Sequence, residues 1–355
     1  MPRTRTDTDA TAADDRPDYA AAVTHYTSPR RRDAVKRHWE EPLLRGLLHR
    51  VLEQVDVDRA RPLRVLDVGC GSGAGLGLLD ATPHMERRGA QLEYVGLDPD
   101  PHLLAVARTQ HADDPRATFV EGDIREGAPH TDVDLYLSTG VPYSHLTPDE
   151  LEESLTGLLD ETVRGRDRPT ALIVDVLGRY SVEWTRRWDR RRWAYRMSFF
   201  EGGGPPPQAD MSVYGGDELG ELLARAAARA GCAIDVLETV DRSILVGRHS
   251  ATGEYADDLP PWRTLVNGLW DPATTVEPDE LRVELSLPAA PEPVLAFYEE
   301  FAAAWNALVD GALARRPGAE QAAQARRLRQ LEVALQRGLG VGHSLTGVLV
   351  VAPAR

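Results

Sequence analysis

The sequence predicts an α/β protein built on a mostly parallel sheet with helices on both faces. Three observations carry this. From residue 63 onward, short apolar runs of strand length alternate with helical segments. The first run, Leu63 to Val68, ends directly in glycines at 69, 71 and 73. Acids close the second and third runs, at Asp98 and Asp123. Glycines and acids at successive strand ends mark the carboxyl edge of such a sheet, where ligands bind.

The elements follow in order. Residues 1–18 hold Thr, Asp, Ala and Arg with little to bury, and are expected to be a disordered tail. Residues 19–53 read as helical, because Trp39, Leu43, Leu44, Leu47, Leu48, Val51 and Leu52 recur at three- and four-residue spacing. Strands are expected at 63–69, 92–98, 118–123, 133–138 and 171–176. A helix is expected over 101–110, and another opens at Thr147-Pro-Asp-Glu150, an N-cap followed by proline and acids. Residues 217–231 read as a further helix. Residues 233–237 and 243–247 are close enough in sequence to form an antiparallel pair. The organisation expected is a tail (1–18), a main domain (19–250) and an α+β C-terminal extension (251–355). In that extension a strand is expected at 281–286, helices at 292–314 and 319–337, and a strand-like run at 344–351. It is expected to cover the main domain or to form a homodimer contact.

Composition excludes several classes. The 355 residues carry 41 Lys and Arg against 56 Asp and Glu, a net charge of −15, so a general nucleic-acid binder is not expected. Two cysteines rule out a disulfide scaffold and suit the cytoplasm. No run approaches the roughly 18 apolar residues of a membrane span, and no secretory signal opens the chain. With no Cys cluster and no His-x-x-x-His pair, no metal is expected.

The most informative segment is Val65-Leu-Asp-Val-Gly-Cys-Gly-Ser-Gly73. Glycines after a strand allow unusual backbone angles and close approach of a ligand. The spacing differs from the Gly-x-Gly-x-x-Gly of dinucleotide sites, and no Gly-Lys-Ser/Thr follows. Asp98 stands where a carboxylate accepts from ribose hydroxyls. On these residues alone, another nucleotide-like ligand stays open. Taken with Tyr94-Val-Gly-Leu-Asp98 and Val120-Glu-Gly-Asp-Ile124, the segment resembles the class I S-adenosylmethionine-dependent methyltransferases, in their small-molecule branch, over about residues 40–248. The resemblance implies a Rossmann-like sheet of seven strands, the last reversed, with an N-terminal helical lid. It implies S-adenosyl-L-methionine as cofactor. Asp67 and the loop Gly69, Cys70, Gly71, Ser72, Gly73 would contact its methionine moiety, Asp98 its ribose, and Asp123 and Ile124 its adenine, with Pro99 also in the cofactor set. Ser138 and Thr139, after the fourth strand, complete the implied cofactor set. Asp100 has no evident role, and Cys70 reads as a small packing residue.

On the acceptor side, Leu137-Ser-Thr-Gly-Val-Pro-Tyr-Ser-His-Leu146 is similar to the Gly-Asn-Ser-Phe-x-His-Leu segment of glycine and sarcosine N-methyltransferases. The Asn is absent, so glycine is not carried over as substrate. Tyr143 and His145 are the catalytic candidates. His145 either transfers a proton or anchors its loop; Tyr143 packs on adenine or on the acceptor. Residues 184–200 interleave Trp and Arg and read as an amphipathic lid helix with solvated arginines, a pocket wall of Trp193, Tyr195, Arg196 and Phe199, or a base-stacking surface. Tyr19, His25 and Tyr26 belong to the lid or to ordinary packing. The expected activity is methyl transfer to nitrogen or oxygen of a small molecule, in secondary metabolism. The alternatives are a protein or peptide methyltransferase that recognises its target through 251–355, and a non-catalytic S-adenosylmethionine-binding protein.

Overall fold

The computed structural model describes residues 23–353, apart from 57, 59, 89–90, 130–131, 164–167, 201–204 and 313–318. The expected tail and Tyr19 lie outside the described residues. Nine strands are present among the described residues: β1 Leu63–Val68, β2 Leu92–Asp98, β3 Ala117–Glu121, β4 Leu135–Leu137, β5 Thr170–Gly178, β6 Arg192–Arg196, β7 Gln208–Tyr214, β8 Cys232–Arg242 and β9 Ser344–Pro353. β3, β2, β1, β4 and β5 lie side by side and parallel. β9 then runs antiparallel to β5, and β8 pairs with β9. These seven strands with one reversed form the expected arrangement, and β7 and β6 extend the sheet to nine strands.

Which segment is reversed differs from the expectation. The antiparallel partner of β8 is β9, in register from Cys232↔Pro353 to Arg242↔Ser344, and not residues 243–247. Ser243 has φ +58, a left-handed conformation that ends the strand. The amides of Ser243 and Ile244 instead donate to the buried Glu332 carboxylate, at 2.8 and 3.1 Å. Residues 344–353 are thus inside the main sheet, and the boundary expected at 250 falls within it. The intervening segment is an insertion between two paired strands.

Helices cover both faces, and their apolar stripes explain why. In Glu41–Val55, Leu44, Leu47, Leu48, Val51, Leu52 and Val55 are buried, the three-four repeat of the sequence. They pack with Leu76, Leu79 and Leu104 on one face of β1. Pro148–Val163 and Gly216–Arg229 bury Leu151, Leu155, Leu219 and Leu223 on the other. The Thr147 box forms as expected: the Thr147 amide donates to Glu150 Oε2 at 2.7 Å, and the Glu150 amide to Thr147 Oγ1 at 3.3 Å. The expected first helix is broken into Val23–Thr27, a turn at Pro29–Arg31, a wider π turn at Lys36–Glu40 and Glu41–Val55; Pro29 and Pro42 cannot donate to a continuous ladder.

Two further expectations change. Residues 184–200 are not a helix. A 3-10 turn, Val182–Arg187, leads into β6, where Trp193 and Tyr195 are buried while Ala194 and Arg196 face out, and Met197 just after it is buried again. That two-residue alternation is a strand signal which the Arg and Trp content masks. β6 pairs antiparallel with β7, and β7 meets β5 only at Leu177↔Val213 and Gly178↔Tyr214. Residues 281–286 are not a strand either. The amide side chain of Asn306, on helix Glu292–Ala312, receives from Val283 N and donates to Val283 O, replacing a strand partner. The insertion packs through Phe297, Tyr298, Phe301 and Trp305 against Trp39, Trp188 and Val341.

Candidate functional site

The glycine loop follows β1. Gly69, Gly71 and Gly73 all have positive φ, +67, +52 and +78, which side chains resist. The loop hooks onto β2 through Gly69 N and Cys70 N, both donating to Leu97 O. Asp98 lies beside it: Oδ2 accepts from Gly71 N at 2.8 Å and Oδ1 from Asp100 N at 2.9 Å. Burial pushes Asp98 up to about 6 against those two hydrogen bonds. Asp100 gains a role that its local sequence permits: it caps Pro101–Gln110 by accepting from His102 N and Leu103 N.

Asp67 is fully buried beneath the loop. Tyr94 Oη donates to its Oδ2 at 2.5 Å, while Oδ1 has no hydrogen-bond partner among the described residues. Burial, opposed by Tyr94 and aided by Asp98, pushes the carboxyl up to about 7. A buried carboxylate oxygen without a donor is costly, and a cationic or N–H group would relieve it. Cys70 packs as expected; a Cβ added to Gly96 would fall 2.7 Å from its sulfur.

Asp123 and Ile124 follow β3. Asp123 accepts from Arg125 N and from the Arg125 guanidinium, which also reaches Glu150. Ser138 bridges strands, donating to Ile173 O and accepting from Asp175 N. Thr139 is half-buried and Pro99 is exposed at the edge. The following loop bends over the glycines, so that a Cβ on Gly69 would meet Pro142 Cβ at 2.3 Å. Gly140 N and Val141 N donate to Asp175 Oδ2, a buried β5 acid that the sequence reading missed. Tyr143 is buried among Leu66, Val68 and Tyr136, and burial raises its phenol. His145 sits beside Arg192, which donates to its carbonyl. Enclosure, then Arg192 and Arg125, hold its imidazole at about 4. A neutral ring facing two guanidiniums is a weak base, which favours the loop-anchor role.

The N-terminal segment does come to the loop. Tyr26 lies 3.8 Å from where a Gly71 Cβ would be, Arg31 stacks over the Tyr26 ring at 4.4 Å, and its guanidinium donates to Ser72 Oγ at 3.0 Å. Arg31 carried no motif and could not be found from sequence. Beyond it lies an aromatic cluster at the ends of β5, β6 and β8. His25 meets Phe200 at 4.6 Å, Phe199 meets His249 at 5.4 Å, and His249 meets Tyr195 at 5.0 Å. Trp193 and Tyr195 are buried, with Trp193 under the Arg187 guanidinium at 4.7 Å. Arg196 turns away and pairs with Glu254 at 3.0 Å. Of the four expected wall residues, Trp193, Tyr195 and Phe199 join the cluster and Arg196 does not.

Elsewhere, His49, Glu53 and His84 place ligand-type atoms within 4.8 Å of one another. Arg87 pairs with Glu53 and Arg88 with Asp56, the partner of His84, so two guanidiniums compete with any cation there. No helix among the described residues is long and apolar enough to cross a membrane.

Residues 65–161 match the family model described as a methyltransferase domain. No curated protein sequence matches the chain. Similar solved structures include a protein of Pyrococcus horikoshii, 18% identical, covering 62% of this chain and 91% of that one, with a TM-score of 0.40. An S-adenosylmethionine-dependent methyltransferase of Clostridium acetobutylicum is 12% identical over 55% and 82%, with a TM-score of 0.36. One from Mesorhizobium loti is 17% identical over 54% and 82%, with a TM-score of 0.37.

Proposed function

We propose that this chain, whose residues 65–161 match a methyltransferase domain, is a class I S-adenosylmethionine-dependent methyltransferase that methylates a nitrogen or oxygen of a small-molecule acceptor, in secondary metabolism. The observation that carries the cofactor half is Asp67, whose buried Oδ1 awaits a donor beneath the three left-handed glycines. The residues fit the cofactor: Asp67 for its ammonium, Arg31 and the loop for its carboxylate, Asp98 for ribose hydroxyls, Asp123 and Ile124 for adenine. When bound, S-adenosylmethionine supplies an electrophilic methyl on a sulfonium. The protein's own contribution is to hold an acceptor in line and exclude water, and positioning of this kind is worth several powers of ten in rate.

The small-molecule half is supported by the enclosure of the acceptor side. His25 and Tyr26 from the N-terminus, Phe199 and Phe200 after β6, and His249 after β8 crowd the end of the sheet with rings. A peptide backbone needs an open groove or a free sheet edge there. The reading places the reaction in the cytoplasm, supported by the free thiols of Cys70 and Cys232. Titration calorimetry with S-adenosylmethionine, followed by transfer of labelled methyl to small-molecule and peptide panels, tests it. Saturable binding with label in small molecules is expected. Label in peptides alone would favour protein methylation, and binding without any transfer a silent binding protein.

A further inference from the structure

A buried acid and two histidines meet beside the aromatic cluster, drawn from three distant parts of the chain. Glu183 follows β5, His249 follows β8, and His343 immediately precedes β9. Glu183 is 1% exposed. Its Oε2 lies 2.5 Å from His343 Nδ1, and its Oε1 accepts from Ser250 N at 2.8 Å. Burial alone would raise the Glu183 carboxyl, but His343 and His249 beside it hold it below the usual range. A carboxylate facing Nδ1 fixes the imidazole proton there and leaves the Nε2 lone pair free. The His343 side chain keeps 12% of its surface open. His249 contributes differently. Its Nδ1 lies near Thr252 Oγ1, while Nε2 is buried without a partner among the described residues, and burial holds the ring at about 3. It stays neutral, so it can hydrogen-bond a ligand but not carry its proton.

This group belongs to the same sheet edge as the glycine loop. Gly178 N, at the end of β5, donates to His343 O. Arg248, next to His249, donates to Arg31 O, and Arg31 reaches Ser72. Between the two stand the half-buried rings of Phe199, Phe200 and Tyr26.

We propose that His343, oriented by Glu183, takes the proton from an aromatic hydroxyl seated against Phe199 and Phe200, with His249 hydrogen-bonding the same ligand. The inference rests on the methyl-transfer reading above and names its acceptor class. The O–H bond breaks and an N–H bond forms at His343 Nε2, leaving a phenolate and an imidazolium paired with Glu183. No oxidant or reductant enters. An aromatic hydroxyl needs such a base because its neutral oxygen is a poor nucleophile, whereas a free amine already carries its lone pair.

The probe is 4-nitrophenol, added to the full chain with S-adenosylhomocysteine at a pH where the free probe is mostly protonated. A saturable nitrophenolate band is expected in the wild type. His343→Asn should weaken that band about tenfold or more and Glu183→Gln should weaken it too, with S-adenosylmethionine affinity unchanged in both. If His343→Asn loses its cooperative melt, Glu183→Gln carries the test. A wild type that binds S-adenosylmethionine but gives no band overturns the inference alone, as would an undiminished band in the folded variants. A wild type that does not bind S-adenosylmethionine overturns the function on which the inference rests.

Discussion

Arg242, at the end of β8, donates to Asp175 of β5 at 2.6 Å, across the intervening strand β9. Both side chains are buried, and Thr346 of β9 also donates to Asp175. The other Asp175 oxygen accepts from Gly140 N, in the loop that bends over the glycines. One ion pair therefore ties the closing strand to the site.

Removing one partner leaves a buried charge unpaired. Asp175→Ala is expected to cost about 3–5 kcal/mol, read as a lower denaturant midpoint. Asp175→Asn, which keeps the acceptor for Gly140 N, should cost less. Equal midpoints for wild type and Asp175→Ala would show that the pair contributes nothing net.

Deleting residues 251–355 removes β9 and bares the β5 edge together with Leu345 and Val348 contacts. The fragment 1–250 should lose its cooperative melt and aggregate. A monomeric fragment with a sharp thermal transition would contradict the role given to β9.

Asp67 makes stability depend on pH. Its folded value of about 7 exceeds the ordinary 3.8, so the native state holds more protons between those values. Stability from this group therefore falls as pH rises through that window. Asp98, at about 6, and Glu332, at about 7, act in the same direction. Asp67→Asn should raise the melting temperature of the cofactor-free protein more at pH 8 than at pH 5, while weakening S-adenosylmethionine binding. A variant with the wild-type pH slope would show that Asp67 does not titrate there.

Asp98→Ala should weaken S-adenosylmethionine about ten- to a hundredfold by calorimetry, since charge-assisted hydrogen bonds are worth roughly 1.5–3 kcal/mol. It also frees Gly71 N, so some of the loss reflects a looser loop. Unchanged affinity would remove Asp98 from the site.

His145 is held at about 4, below the ordinary 6.5. The unfolded chain takes this proton first, so stability is full above about 6.5 and is lost as pH falls toward 4. His25, at about 4, and His249, at about 3, share the direction. His145→Gln should flatten that acid-side loss and change kcat by less than about threefold. A fall of about 10²-fold or more in kcat would restore His145 as a proton carrier.

The sequence by itself determined the parallel half of the sheet, the glycine loop and the acids at its rim. Leu92–Asp98 and Pro101–Gln110 coincide with the expected spans because their signals are local: an apolar run closed by an acid, then Asp-Pro opening a helix. Asp67, Gly69, Gly71, Gly73 and Asp98 fall together because consecutive parallel strands bring their ends to one edge. Only the tertiary structure decided the rest. That β9 pairs with β8 and β5 depends on contacts between segments far apart in the chain, Arg242 with Ser344 and Thr170 with Val351, where many apolar runs could compete for the same edge. The β6 strand was hidden because its outward arginines suggest a solvated helix until the pairing with β7 fixes a two-residue period. Asp175, Glu183, Arg242 and His343 carry no motif, since a buried polar group acquires its partner from segments that meet only in the folded chain.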